Sequence, residues 1–76
     1  MKKNPELLRF GRQVRLLRTI RGWSQEELGG RAGLDRTYIG GIERGERNIG
    51  LINLFRLAVA LGVPAIDLLR DPSKSR

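Results

Sequence analysis

The sequence predicts an all-α fold built from five short helices. Apolar residues recur at the spacing of about three to four residues that makes one face of a helix apolar, and no stretch alternates as a β-strand does. Glycines then divide the chain, because each follows a helical stretch at the position where a left-handed residue ends a helix without steric cost. These helix-ending positions are Gly22, Gly33, Gly45 and Gly62.

The first two helices have clear start signals. Helix 1 is expected from about Pro5 to Arg21, because the missing N–H of a proline is not needed in a first helical turn. Helix 2 begins with "SQEE", in which Ser24 is the N-cap and Glu27 completes a capping box.

The remaining three helices follow in the second half of the chain. Helix 3 lies in "DRTYIGGIERGERN", with Asp35 placed to cap it and Gly45 placed to end it. Helix 4 covers "LINLFRLAVAL", with Gly50 as a weak cap, and helix 5 is the short "PAIDLL", which begins at Pro64. We therefore expect an all-α domain of five helices.

Composition excludes several classes of protein. A chain of 76 residues is one domain, expected at 1–70 and followed by a polar, disordered tail at 71–76. The absence of cysteine and histidine excludes disulfides, thiolate nucleophiles, zinc fingers and imidazole bases. Glu26 and Glu27 are adjacent carboxylates, but they lie in the first turn of helix 2, where negative charge complements the helix dipole. We expect no enzyme, no metal site and no cofactor.

The charge of the chain indicates an anionic partner. Lysine and arginine number 15 against 8 aspartates and glutamates, which gives a formal net charge of +7. Nucleic acid is the first candidate partner and an anionic membrane surface the second. No apolar run approaches the roughly 20 residues of a membrane span, and the start of the chain lacks the apolar core of a signal peptide. We expect a soluble, cytoplasmic protein associated with the nucleoid.

One arginine falls on the apolar face of helix 1. Leu7 and Val14 mark this face, and Arg18 lies within about 20° of Leu7 on a helical wheel. Arg18 either extends its charged end to water from near the helix terminus or forms a buried ion pair. Glu43 is the best candidate for its partner, because it borders the inward face of helix 3.

Helix 3 carries two glycines in its middle, although each costs about 0.5 to 1 kcal/mol relative to alanine. With Ile39 and Ile42 directed inward, Gly40 and Gly41 fall on the opposite face. They are either tolerated surface positions or a bare backbone patch that lets the helix approach another surface closely. A DNA major groove, about 12 Å wide, is such a surface. The side chains that surround the patch are Arg36, Thr37, Tyr38 and Arg44.

The run "LLRTIRGWSQEELGGRAGLDRTYIGGIERGERN" resembles the helix-turn-helix domain of the phage-repressor and Cro-like (XRE) transcriptional regulators. The resemblance covers roughly residues 10 to 69 and includes Gly29 and Gly33, where that motif has a close helix crossing and a tight turn. It implies a five-helix, lambda-repressor-like DNA-binding domain in which helices 2 and 3 form the helix-turn-helix. It also implies an ion pair between an arginine late in helix 1 and a glutamate late in helix 3, which correspond to Arg18 and Glu43.

The resemblance also assigns residues that read DNA bases. The base-reading positions of the family's recognition helix correspond to Arg36, Thr37 and Tyr38. A further base-contacting position, often a long or polar side chain in the family, is Gly41 here and cannot form a side-chain hydrogen bond.

A second set is expected to contact phosphates, which fixes orientation rather than sequence preference. The family's phosphate-contacting glutamine at the start of helix 2 corresponds to Gln25, which is otherwise only a helix-start residue. We expect Arg44, Arg47 and Asn48 to contact phosphates with it. Gly50 departs from the family, because it replaces the Ser or Thr that often caps helix 4.

The expected function is that of a sequence-specific, double-stranded-DNA-binding transcriptional regulator. Within the family, the small size and the run "LDRTYIGGIERGERN" resemble the controller proteins of restriction–modification systems. The alternative is an antitoxin-like protein-interaction module of the same fold, and a basic membrane-surface helix is a weaker third. Expected partners are double-stranded DNA and a second copy of the chain, with RNA polymerase a further candidate and with no membrane or small-molecule ligand.

Helix 4 carries two apolar stripes about 90° apart. The first is assigned to the core and contains Leu51, Leu54, Ala58 and Leu61. The second is covered either by helices 1 and 5 of the same chain or by a second copy, which would form a two-fold dimer on a near-palindromic operator. We expect the dimer, with an interface made of Ile52, Phe55, Val59, Ile66 and Leu69.

Overall fold

The computed structural model describes residues 4–72, and these residues form five α-helices without strands. The predicted all-α fold class and helix order are therefore confirmed. The helices are α1 Pro5–Ile20, α2 Gln25–Ala32, α3 Arg36–Glu43, α4 Gly50–Leu61 and α5 Ala65–Leu68. The predicted tail at 71–76 falls largely outside the described residues, and of its members only Asp71 and Pro72, both half-buried, are described.

Local sequence explains where the helices begin and end. The Ser24 hydroxyl accepts a hydrogen bond from the Glu27 N–H at 3.0 Å, as a cap should, while the Glu27 carboxylate accepts one from Arg31 Nε at 2.8 Å. Gly33 ends α2 with a φ of 72°. The prediction for α4 was wrong by one residue, because Ile49 lies at the cap position and Gly50 is the first helical residue. Gly50 has a φ of 76°, so the backbone of this turn, rather than capping, accounts for the glycine.

The core lies where α1, α2, α3 and α4 meet and α5 closes one end. α1 packs against α3 and α5, while α4 packs against α2 and α5. Gln13 Nε2 of α1 donates to the Asp67 carbonyl oxygen of α5 at 2.7 Å, which ties the short last helix to the first. The buried apolar side chains are Val14, Leu28, Ala32, Ile39, Ile42, Leu57, Ala58, Leu61 and Leu68.

One core assignment on α4 was wrong. Leu51 is 66% exposed, whereas Leu57, which the prediction left out of the core, is fully buried. Leu57 and Leu61 set the buried direction of α4, and Leu51 lies about 120° from Leu57 around the helix. Leu51 therefore points away from the core and lies beside the second apolar stripe. Among the helices within residues 4–72, none has the length and apolar character needed to cross a membrane.

Candidate nucleic-acid interface

The turn between α2 and α3 fixes the angle at which α3 leaves the body of the protein. The Leu34 N–H donates to the Gly29 carbonyl oxygen at 2.8 Å, which closes the turn. A β-carbon at Gly29 would collide with the Leu34 carbonyl oxygen, a backbone atom that cannot move aside. Glycine is therefore required at position 29 for this close approach.

Asp35 organises the first turn of α3. Its carboxylate accepts hydrogen bonds from the Thr37 N–H, at 2.9 Å, and from the Thr37 hydroxyl. Both hydrogen bonds lower the pKa of Asp35 below its ordinary value of 3.8, and the bond from the Thr37 hydroxyl contributes more than the bond from the Thr37 N–H. The carboxylate is therefore charged at neutral pH and complements the positive end of the helix dipole.

The three predicted base-reading residues occupy the first turn of α3. Arg36 and Thr37 are exposed, and Tyr38 is half-buried. Asn53 Nδ2 of α4 donates to the Tyr38 hydroxyl at 3.3 Å. The start of α3 thus presents two solvent-accessible polar side chains and one ring whose hydroxyl is held by the neighbouring helix.

The glycine pair of α3 differs from the expected bare patch, because both glycines are buried. A β-carbon at Gly40 would lie 3.1 Å from Arg44 Nη1 and 3.3 Å from Gln25 Oε1. A β-carbon at Gly41 would lie 3.0 Å from Arg47 Cγ. In this chain, long polar side chains occupy the space that the missing methyl groups leave.

Arg18 and Glu43 form a buried ion pair, and Glu43 points inward as expected. Arg18 Nε lies 2.6 Å from Glu43 Oε2, Arg18 Nη2 lies 2.9 Å from Glu43 Oε1, and their side chains are 11% and 3% exposed. The hydrogen bond with Glu43 raises the pKa of Arg18 above its already high ordinary value. Arg18 Nη1 also donates to the Trp23 carbonyl oxygen at 2.7 Å, and Gln25 Nε2 donates to Glu43 Oε1 at 3.1 Å. This network joins α1, the start of α2 and the end of α3.

The predicted phosphate contacts are not equally available. Gln25 is half-buried and engaged with Glu43, so its amide already belongs to the ion-pair network. Arg44 is exposed, with Nε 3.2 Å from Glu46 Oε1. The Arg47 guanidinium lies 5.5 Å from the centroid of the Tyr38 ring, within the range of a cation–π interaction. Asn48 is exposed near the end of the loop that joins α3 to α4.

The structure therefore gathers Gln25, Arg44, Arg47 and Tyr38 around the glycine pair of α3. Sequence reasoning missed two residues that support this arrangement. Gly11 of α1 lies against the carbonyl oxygens of Ile42 and Glu43, so a side chain there would push α1 away from α3. Its signal is a glycine in the middle of an otherwise strongly helical stretch. The other is Asn53, one of two polar residues, with Arg56, in the apolar run of α4.

The second apolar stripe of α4 and its extension on α5 are open to solvent in the single chain. We define the α4–α5 apolar face as Ile52, Phe55, Val59, Ile66 and Leu69, whose exposed fractions run from 51% to 81%. The alternative that helices 1 and 5 of the same chain cover this face does not hold for the described residues. Monomeric proteins rarely expose large contiguous apolar patches, so this face is suited to a protein interface.

Comparison with known proteins identifies the family. The helix-turn-helix family matches residues 14–68, which include α2, α3, α4 and α5. The chain belongs to the helix-turn-helix family. Its relatives include the control protein C.BamHI from Bacillus amyloliquefaciens, which is 47% identical over 70 residues, or 91% of this chain and 85% of the relative.

Other members support the assignment. The crystal structure of the restriction–modification controller protein C.AhdI from Aeromonas hydrophila matches with a TM-score of 0.84 and 48% identity, over 86% of this chain and 98% of that one. A hypothetical transcription factor from Neisseria meningitidis serogroup B is 51% identical over 61 residues, 80% of this chain. The chain spans 58% of the length of that relative.

The chain is a helix-turn-helix DNA-binding regulator of the restriction–modification controller type. These matches favour a regulator over the antitoxin-like interaction module. The family consists of DNA-binding transcriptional regulators rather than enzymes.

Proposed function

We propose that two copies of this chain bind a near-palindromic operator and that each copy inserts the start of α3 into a major groove. Arg36, Thr37 and Tyr38 would contact base edges, while Gln25, Arg44, Arg47 and Asn48 would contact phosphates. RNA polymerase is the further partner that such a regulator would reach from its operator, and bound DNA would place the protein at the nucleoid.

The observation that carries this proposal is the outer surface of α3. Its first turn carries the exposed Arg36 and Thr37, and the side chains of Arg44 and Arg47 pack against Gly40 and Gly41, within a chain of net charge +7. An α-helix fits the major groove, and arginines beside such a helix suit the phosphates that border the groove.

Dimensions support the two-fold arrangement. The principal extents of the domain are 31, 29 and 23 Å. Two domains of this size joined through the α4–α5 apolar face would be of the same scale as the roughly 34 Å between successive major grooves on one side of DNA. The same arrangement would remove the apolar face from water.

Selection of bound duplexes from a random pool tests the proposal directly. We expect a two-fold symmetric consensus whose half-sites are separated by about 10 base pairs from centre to centre. Recovery of a single unsymmetric half-site would contradict the dimer, and recovery of no consensus would contradict sequence-specific binding.

The affinity for the selected duplex should also fall steeply with salt. Arg44 and Arg47 from two protomers would neutralise four phosphates, and each contributes about 0.9 to the slope of log K against log salt concentration, so we expect a slope near −3.6. Fluorescence anisotropy over a series of salt concentrations measures this slope. An affinity that does not depend on salt would contradict the phosphate contacts.

A further inference from the structure

The side chain of Arg47 lies in a groove made by the absence of a side chain at Gly41. Of the atoms that a β-carbon at Gly41 would meet, the three nearest all belong to Arg47: Cγ at 3.0 Å, Nε at 3.1 Å and Cδ at 3.6 Å. The first two distances are shorter than ordinary van der Waals contacts between carbon or nitrogen atoms. A β-carbon at position 41 would therefore require the Arg47 side chain to shift by a few tenths of an ångström from the place it occupies.

The far end of the same side chain lies on Tyr38. The Arg47 guanidinium is 5.5 Å from the centroid of the Tyr38 ring. That ring is held in turn from α4, because Asn53 Nδ2 donates to the Tyr38 hydroxyl at 3.3 Å. Arg47 is nevertheless exposed, so the groove and the ring orient a cation that remains accessible from solvent.

We propose that Gly41 and Asn53 are positioning residues for DNA binding, which hold the Arg47 guanidinium beside the first turn of α3 before DNA arrives. This inference rests on the proposed function and extends it, because it assigns to Gly41 a role that needs no contact between the glycine and DNA. An exposed arginine without such support loses side-chain entropy when it binds a phosphate. An arginine already seated between Gly41 and Tyr38 loses less.

The proposal differs from a simpler explanation, in which Gly41 is small because the helix backbone must approach DNA closely. Direct approach predicts that an added methyl group is harmful whether or not Arg47 is present. Positioning predicts that the harm disappears once Arg47 has been truncated, because the nearest atoms that the methyl group meets have then been removed.

A double-mutant cycle on DNA affinity separates the two explanations. The probe is a fluorescently labelled duplex that carries the site recovered by selection, with a scrambled duplex beside it. Gly41→Ala should weaken binding by about two- to fivefold on both duplexes, the scale of one exposed cation–π contact, since a phosphate contact carries no sequence information. In an Arg47→Ala background the same substitution should have no effect.

Salt dependence gives a second readout that a purely structural role would not change. Gly41→Ala and Arg47→Ala should each flatten the slope of log K against log salt concentration. Arg47→Ala should reduce the slope by about 0.9 for each phosphate contact that is lost. The double variant should have the same slope as Arg47→Ala alone. Gly30→Ala is the matched control, because a β-carbon at this helical glycine of α2 meets nothing within 4 Å. It should leave both the affinity and the slope unchanged.

Asn53→Ala tests whether the hydrogen bond from Asn53 to the Tyr38 hydroxyl helps to position Arg47, and it adds no atom to α3. It should weaken binding in the natural chain and have no effect in a Tyr38→Phe background, because that variant lacks the hydroxyl that Asn53 holds. Thermal unfolding checks that each variant folds.

Three outcomes would overturn the proposal while leaving DNA binding itself intact. They are an equal loss from Gly41→Ala in both backgrounds, no loss in the natural background, and a natural affinity that does not depend on Arg47. A natural chain that binds neither duplex would instead overturn the proposed function.

Discussion

The outer surfaces of α3 and α4 differ in how far a single chain completes them. On α3, the glycine pair is covered by Gln25, Arg44 and Arg47, and the adjoining Glu43 carboxylate is satisfied by Arg18 and Gln25. On α4 and α5, the apolar face remains 51% to 81% exposed. Polar side chains are long enough to be satisfied within one small domain, whereas a broad apolar face needs another surface to cover it. On this difference, α3 is the surface proposed to recognise DNA, and the α4–α5 apolar face is the surface proposed to join two chains.

The largest expected effect tests how much the buried ion pair at the end of α3 contributes to the stability of the single chain. Arg18→Met and Glu43→Gln should each lower the free energy of unfolding by about 3 to 5 kcal/mol, because each leaves a buried charge without its partner. A double-mutant cycle measured by denaturant unfolding should give a coupling above about 0.5 kcal/mol.

Arg70→Met is the control for that prediction. It removes the exposed Arg70–Asp67 pair, whose arginine side chain is 61% exposed, and should cost less than about 1 kcal/mol. Additive effects of Arg18→Met and Glu43→Gln would show that the two side chains do not interact in solution.

The next largest effect tests whether the α4–α5 apolar face needs a second chain. Phe55→Glu should keep the protein folded but monomeric in analytical ultracentrifugation, because a charge would be buried at the centre of the interface. Operator affinity should fall by about a hundredfold or more, since two linked half-sites then become two separate binding events.

Leu16→Glu provides a matched change, because it places the same residue at an exposed apolar position of α1, outside the α4–α5 apolar face. This variant should remain dimeric. A natural chain that stays monomeric at high micromolar concentration would contradict the assignment of this face.

A smaller effect tests base reading at the first turn of α3. Arg36→Ala should cost about 1 to 3 kcal/mol on the selected operator and much less on scrambled DNA, because a base-edge contact carries sequence information. Arg12→Ala, at an exposed arginine of α1, should change neither affinity. Equal losses on both duplexes would reassign Arg36 to the phosphate backbone.

The smallest expected effect concerns the loss of stability at low pH. The pKa of Asp35 is lowered in the folded protein, so the stability that its carboxylate contributes is present above the unfolded pKa and is lost as the pH falls through the folded pKa, below 3.8. Asp35→Asn keeps a capping side chain but cannot titrate. Thermal unfolding between about pH 5 and pH 2 should therefore show a weaker acid dependence for this variant. An unchanged acid dependence would mean that Asp35 does not cap α3 in solution.

Local sequence signals predicted the positions of the helices well, but they predicted less reliably which helix faces are buried. Caps and helix-ending glycines depend on residues a few positions apart, so Ser24 and Asp35 could be assigned from the sequence alone. The burial of Leu57 and the exposure of Leu51 could not, because the buried direction of α4 depends on how the other helices pack against it. Gly11 was missed for the same reason, since its neighbours are carbonyl oxygens far along the chain.

The sequence by itself determined the all-α class, the helix order, the basic character of the chain and the pairing of Arg18 with Glu43. These follow from periodicity, from short-range hydrogen bonding and from charge, together with the family resemblance for the pair. Only the tertiary structure decided that Arg47 covers Gly41, that Asn53 holds Tyr38 and that Gln25 joins the buried ion pair. The contacts of Asn53 and Gln25 each depend on the angle between two helices, which is set by the packing of the whole domain rather than by neighbouring residues in the chain. The contact of Arg47 depends instead on the path that the loop after α3 takes back across that helix.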